Sequence, residues 1–285
     1  MTNRHLEKRY KGLHYEAGRL PDRLIDSKLY WSLPYEIRRF MYGVFSPTSL
    51  WRIHQQRSVQ PENLNASTLK LFCDTQSIFV HIPKSAGISI GLSLYGRKTG
   101  DHRTIADYKL CFTKNEFQSF FKFAFVRNPW SRLLSAYLYL KKGGRNKQDD
   151  DWAIKFLSAY NTFEEFVSSW VNEENIRLGL HFRPQYEFLC TSGSTPEVDF
   201  ICYFENIAND YNYIRNRIGI GNELMFVNKT AKDKLDYRHY YNKRTREIVE
   251  TVYREDIQVF GYNFEGTSLK SQLARRSTGL TEAIR

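Results

Sequence analysis

The chain has 285 residues, a formal net charge of +11, 41% hydrophobic residues and 15% aromatics. So aromatic a composition excludes a disordered chain, and no stretch approaches the roughly 20 consecutive apolar residues of a membrane-spanning helix. The positive charge favours an anionic partner (nucleotide, acidic glycan, nucleic acid or membrane surface) without choosing among them.

Residues 1–20 (MTNRHLEKRYKGLHYEAGRL) are charged and lack the apolar centre of a signal peptide, so the start reads as that of a mature cytosolic protein. The basic, aromatic stretch up to about residue 56 holds two helix starts, Ser32 before Pro34 and Ser46 before Pro47, because proline suits the first helical turn. Residues 55–70 (QQRSVQPENLNASTLK) are polar, break the periodicity and read as a linker. From 71 to 264 strand-like runs alternate with helical ones, the pattern of a parallel sheet flanked by helices on both faces. The expected organisation is a helical N-terminal extension with its linker (1–70), one α/β catalytic domain (71–264) and a polar, loose tail (265–285).

Strands are expected at 77–82, 122–126, 199–204 and 224–227. Helices are expected at 130–142, closed by Gly143 and Gly144, at 208–218, closed by Gly219, and at 244–260, closed near Gly261. Residues 143–151 (GGRNKQDDD) read as a solvated loop. Cys73, Cys111, Cys190 and Cys202 lie far apart without C-x-x-C spacing, which suits free, mostly buried thiols.

Two segments of this domain resemble each other in design: an apolar strand runs into a polar turn and then a helix. In residues 78–89 (IFVHIPKSAGIS) Pro83 stops the strand, and Lys84, Ser85, Ala86, Gly87, Ile88 and Ser89 supply a small-residue loop that can aim backbone N–H groups at an anion. In residues 123–137 (FAFVRNPWSRLLSAY) Arg127 ends the strand, Asn128 is the N-cap and Pro129 the first helical residue. Helix N-termini attract anions, and Arg127 adds a fixed fork of donors. Ser135, eight residues after Arg127, falls on the same helix face as Ser131. Together the segments read as two halves of one phosphate-binding site. The first is not a Walker loop, because Lys84 precedes Gly87 instead of following a glycine-rich stretch. Lysine then enters from the strand side, where it can stabilise a departing leaving group. Arg132 reads as a solvent-facing ion-pair partner.

These motifs resemble those of the carbohydrate sulfotransferase group that uses 3′-phosphoadenosine 5′-phosphosulfate (PAPS). PKSAGIS resembles the 5′-phosphosulfate loop and RNPWSRLLSAY the 3′-phosphate segment. HFRPQ (181–185), DFICYFENI (199–207), NKT (228–230) and IVETVYREDIQVFGYNF (248–264) follow in the family's order. The resemblance implies a P-loop-like fold and transfer of the sulfonate of PAPS to an acceptor hydroxyl, on a carbohydrate or glycolipid, with PAP as the product. It places Lys84 to Ser89 on the 5′-phosphosulfate, Arg127 and Ser135 on the 3′-phosphate, and Asn228, Lys229 and Thr230 in a loop over the nucleotide. His102 occupies the position of the base and Lys84 the leaving-group side; His181, the second candidate for the base, and Arg183 would line the acceptor cleft. Histidine suits proton abstraction near neutral pH. His81, at the strand end beside the loop, reads as structural.

No metal is expected, since sulfuryl transfer carries less negative charge than phosphoryl transfer. The missing anchor and secretion signal imply a soluble, cytoplasmic, bacterial-type enzyme. The same machinery would also serve a small natural product with an alcohol or amine acceptor. A nucleotide kinase or NTPase shares the strand-loop-helix pattern but calls for a G-K-[ST] sequence that is missing here. A nucleic-acid binder would explain the charge, but no recognised module appears, so no nucleic-acid partner is expected. Oligomeric state is left open.

Overall fold

A computed structural model describes residues 28–64, 66, 68–99, 102–225 and 236–282. Helices α1 (Lys28–Ser32), α2 (Tyr35–Phe45), α3 (Pro47–Ser58) and α4 (Lys70–Thr75) precede strand β1 (Ser77–Val80). Then come α5 (Gly87–Tyr95), α6 (Ile105–Cys111), α7 (Lys114–Ser119), β2 (Phe121–Val126), α8 (Pro129–Leu140), α9 (Lys147–Leu157) and α10 (Phe163–Ser169). The chain continues through α11 (Tyr186–Leu189), β3 (Phe200–Tyr203), α12 (Ile207–Ile218), α13 (Lys243–Val252), α14 (Arg254–Phe260) and α15 (Leu269–Glu282). The fold is α/β. Its described residues fall into two compact units, those within 28–125 with 185–225 and those within 126–184 with 236–282.

The first unit holds the sheet, in strand order β1-β2-β3. β1 and β2 pair in parallel, Ser77 opposite Phe121 and Val80 opposite Ala124. Parallel neighbours need a long crossover, here α5, α6 and α7. Both strands read as apolar runs because β1 is buried throughout and β2 in all but its first residue; the rings of Phe79 and Phe123 stack across them at 5.0 Å. Thr104 with Asp107 and Thr113 with Glu116 form capping boxes that start α6 and α7, each cap contributing about 1 kcal/mol. α2 is held in this unit by Tyr35, whose hydroxyl donates to the Phe112 carbonyl at 3.3 Å.

The second unit packs α8, α10 and α13 around Trp130, Tyr137, Phe166, Trp170, Phe182 and Val249. The Trp130 indole N–H donates to the Arg246 carbonyl and the Tyr241 hydroxyl to the Trp130 carbonyl.

Several expectations change. β1 stops at Val80, two residues early, because the carbonyl of His81 bonds a histidine side chain. Leu224 and Met225 carry no strand, and the rest of the expected fourth strand lies outside the described residues. Pro34, not Ser32, precedes α2, whereas Ser46 and Pro47 open α3 as expected. That helix runs through residues 55–58 of the expected linker. The helix expected over 244–260 is two, broken at Tyr253 (φ −107°, ψ 26°). The polar tail carries α15, and Gln272, 3% exposed, donates to the Phe260 carbonyl. Residues 147–151 are the first turn of α9, begun by Asn146, whose side chain accepts from the Asp149 N–H.

Candidate active site

In the first unit β1 delivers the chain into the loop 83–86 and so to the N-terminus of α5. Lys84 (φ 68°) and Ala86 (φ 64°) are left-handed, and so is His102 (φ 54°). Among the described residues only Gln76 joins these three as a non-glycine with positive φ. Each such residue costs on the order of 1 kcal/mol, and strain of this kind collects where a backbone is held for a purpose. Left-handed residues on either side of Ser85 curl the chain into the concave arrangement that presents backbone N–H groups to an anion. Ala86 offers α5 no side-chain cap. The Ser85 hydroxyl is buried, with the residue 1% exposed, and has no hydrogen-bond partner; an unsatisfied buried hydroxyl costs about 1–3 kcal/mol. A phosphate oxygen here would remove that cost, so the loop fits an anionic ligand. Gly87 and Ser89 are buried, and Lys84, Ala86 and Ile88 are half-buried.

His102 stands against the same loop. Its Nδ1 lies 3.0 Å from the carbonyl oxygen of His81. A carbonyl only accepts, so Nδ1 carries the proton and Nε2 the lone pair of the neutral ring, the arrangement a general base needs. His81 has the same tautomer for the same reason: its Nδ1 is 2.9 Å from the Thr99 carbonyl. The two rings are 4.3 Å apart between centroids.

In the second unit Asn128 takes the N-terminus of α8 for itself, its side-chain oxygen accepting from the N–H groups of Trp130 and Ser131. Anion binding by those amides, expected from the sequence, is therefore already forestalled, and the donors that remain for a ligand are side chains. Arg127 Nε donates to Ser131 Oγ at 3.0 Å, so Ser131, one turn before the half-buried Ser135, is its immediate neighbour. Arg132, expected in solvent, is 1% exposed and donates to the Arg183 carbonyl at 2.8 Å; burial pulls its pKa below the usual arginine value. Arg183 is itself 2% exposed, so its guanidinium is enclosed and does not stand in an open cleft.

His181 lies close to Asp149, Nε2 to Oδ1 3.1 Å, and the Tyr139 hydroxyl donates to the other carboxylate oxygen at 2.5 Å. Asp149 is thus a half-buried acceptor, not the solvated loop residue expected. Burial would raise its carboxyl, but the hydrogen bonds from His181 and Tyr139, with the His181 charge, outweigh that and hold it at about 2, below the ordinary 3.8. A depressed carboxyl contributes stability that is present above about pH 4 and lost as pH falls toward 2. Asp149→Asn is expected to lower the unfolding free energy at pH 7 by about 2 kcal/mol and to flatten its decline below pH 4. Denaturant titrations at pH 7, 4 and 3 check both.

Asn228, Lys229 and Thr230 lie outside the described residues. Among the described residues no cluster of His, Cys, Asp and Glu is arranged to hold a metal ion, and no helix is long and apolar enough to cross a membrane. Cys111, Cys190 and Cys202 are buried, Cys73 is half-buried, and none of the four is in a disulfide.

The model of the sulfotransferase family matches residues 71–263. The chain is 31% identical to carbohydrate sulfotransferase 14 of Danio rerio over 176 residues, 54% of this chain and 47% of that protein. It is 34% identical over 122 residues to an uncharacterized protein of Archaeoglobus fulgidus, covering 42% of this chain and 85% of the other. To carbohydrate sulfotransferase 11 of Rattus norvegicus it is 24% identical over 193 residues, 56% and 52% of the two chains. The chain therefore spans about half the length of the two carbohydrate sulfotransferases. No solved structure matches.

Proposed function

The chain belongs to the sulfotransferase family, and on that premise we propose that it transfers the sulfonate of PAPS to a hydroxyl of a carbohydrate or glycolipid. The observation that carries the donor assignment is the loop before α5: a buried Ser85 hydroxyl lacking a partner, flanked by left-handed Lys84 and Ala86. The names of the relatives, carbohydrate sulfotransferases 14 and 11, support the acceptor class.

In this reading Lys84, Ser85, Ala86, Gly87, Ile88 and Ser89 hold the 5′-phosphosulfate. Arg127 and Ser135 take the 3′-phosphate, and Asn228, Lys229 and Thr230 cover the nucleotide. His102 Nε2 accepts the acceptor hydroxyl proton as the new O–S bond forms. The S–O bond to the bridging phosphate oxygen breaks, and the Lys84 ammonium balances the charge that grows on that oxygen. PAP leaves. PAPS supplies the activated sulfonate; the protein supplies position, a base and a cation. His181 belongs to the acceptor side, and the buried Arg183 supports that side from within the fold rather than meeting the acceptor.

The test is a transfer assay of the full chain with labelled PAPS against a panel of sugars, glycolipids and small alcohols and amines. Label in a sugar product supports the reading. Label only in a small alcohol or amine would move the acceptor, and ATP binding without PAP affinity would replace the donor assignment with that of a nucleotide kinase. Arg127 provides a narrower check. Arg127→Ala is expected to weaken PAP binding about tenfold or more, the scale of a lost charge-assisted hydrogen bond, while leaving AMP, which lacks the 3′-phosphate, nearly unchanged. Calorimetric titration with both nucleotides measures it, and equal losses for the two would remove Arg127 from the 3′-phosphate.

A further inference from the structure

His81 is assigned no chemistry in the mechanism above, yet it is built into the loop and the base alike. It is 5% exposed at the end of β1. Its ring packs against the backbone of Gly87 so closely that a Cβ there would fall 1.8 Å from His81 Cδ2 and 1.9 Å from Nε2. Its Nδ1–H is given to the Thr99 carbonyl, three residues before His102, and its own carbonyl receives the Nδ1–H of His102. The two histidines therefore form a reciprocal clasp. Each donates to the main chain of the segment that carries the other, and their rings meet at 4.3 Å. The His81 ring also stacks on Phe79 of β1 at 5.7 Å and 11°.

We propose that His81 is a positioning residue of this site, setting the anion loop through its contact with Gly87 and fixing the position of the His102 ring through the clasp. The inference rests on His102 being the base and on the loop holding the donor phosphate. The physical reason for such a device is local. His102 sits in a left-handed conformation, uncommon for any residue other than glycine, and its ring is oriented by a hydrogen bond and packing from outside its own segment. A base displaced by about 1 Å loses on the order of 10²-fold in rate. The strand end is the most rigid support available, because β1 is fully buried and paired with β2.

The experiment compares wild type, His81→Ala, His81→Asn and His102→Ala as full chains, each first shown to be folded by circular dichroism. Asparagine can present an amide N–H where His81 presents Nδ1–H, so it restores the bond to Thr99 without the full ring. His102→Ala is expected to lose kcat with PAP affinity unchanged. His81→Ala is expected to lose about tenfold in PAP affinity, the scale of about 1.4 kcal/mol, and about 10²-fold in kcat, with His81→Asn recovering part of the kcat loss. A purely structural role would lower thermal stability and leave both parameters of the folded fraction unchanged, which would overturn the proposal. Long-range ¹H–¹⁵N spectra of the imidazoles give a readout that needs no donor and no turnover. The wild-type His102 ring is expected in the Nδ1–H form, and since His81→Ala keeps the main-chain carbonyl that accepts this proton but loses the ring contact and the bond to Thr99, the variant is expected to shift the His102 imidazole resonances while keeping that tautomer. Absence of PAP binding and transfer in wild type would sink the proposed function, whereas unaltered His102 imidazole resonances in His81→Ala would sink the clasp alone.

Discussion

Lys84→Ala is expected to lower kcat/KM for PAPS-driven transfer by about 10²–10³-fold, the range found when one preorganised donor is removed from a developing negative charge. The lysine enters the loop from the strand side, half-buried, on a left-handed residue. A long flexible cation on a solvated turn could adopt an ordinary backbone at no cost; this one is held in a conformation that costs on the order of 1 kcal/mol. Lys84→Gly separates the amine from the backbone. Glycine accepts φ 68° without strain but gives up about 0.5–1 kcal/mol of chain entropy, so the two effects offset and stability is expected within about 1 kcal/mol of wild type. Activity is expected to fall as far as in Lys84→Ala. Thermal melts with initial-rate assays on both variants check this, and normal turnover in either would remove Lys84 from the leaving-group side.

How much of this was legible in the chain depends on how local each feature is. β1 and β2 were readable because strands buried on both faces are continuous apolar runs, and because Pro83 and Pro129 punctuate them. The Asn128 cap was readable for the same reason, but its consequence was not: by taking the N–H groups of Trp130 and Ser131 it removes the helix N-terminus from the list of anion donors. The Thr-x-x-Asp and Thr-x-x-Glu patterns at 104–107 and 113–116 were capping signals present in the chain. The break at Tyr253 was hidden, since the apolar spacing runs through it. Asp149 looked solvated inside a run of three acids; it is enclosed by Tyr139 and His181, 10 and 32 residues away, and pairing over that distance leaves no local trace. Ser131 and Ser135 share a helix face by periodicity, and only the Arg127 geometry distinguishes them. His81 is the clearest case. Its place at a strand end suggested a structural ring, but the contact with Gly87 and the exchange of hydrogen bonds with the segment of His102 require the crossover from β1 to be folded.

That contact makes Gly87→Ala the other large expected effect. Gly87 begins α5 with an ordinary backbone, so the cost of a methyl there is steric and not conformational. At 1.8 Å and 1.9 Å from His81 Cδ2 and Nε2 the added carbon cannot be accommodated unless the ring or the loop moves. The ring is held by Thr99, stacked on Phe79 and in tilted contact with His102, and overpacking at such a place costs about 1–3 kcal/mol. For a chain of 285 residues each kcal/mol lowers Tm by about 2–4 °C. Because the loop is the less buried partner, it is expected to give way, carrying Ser85 and Lys84 with it and weakening PAP binding about tenfold or more. His81→Ala removes the obstructing ring, so the double variant is expected to be less unstable than the sum of the singles by about 1 kcal/mol or more. A coupling of this size is found between residues in direct contact and not between independent sites. Chemical denaturation of the four proteins in the cycle gives the coupling directly, and additive losses would mean that Gly87 and His81 do not touch in solution.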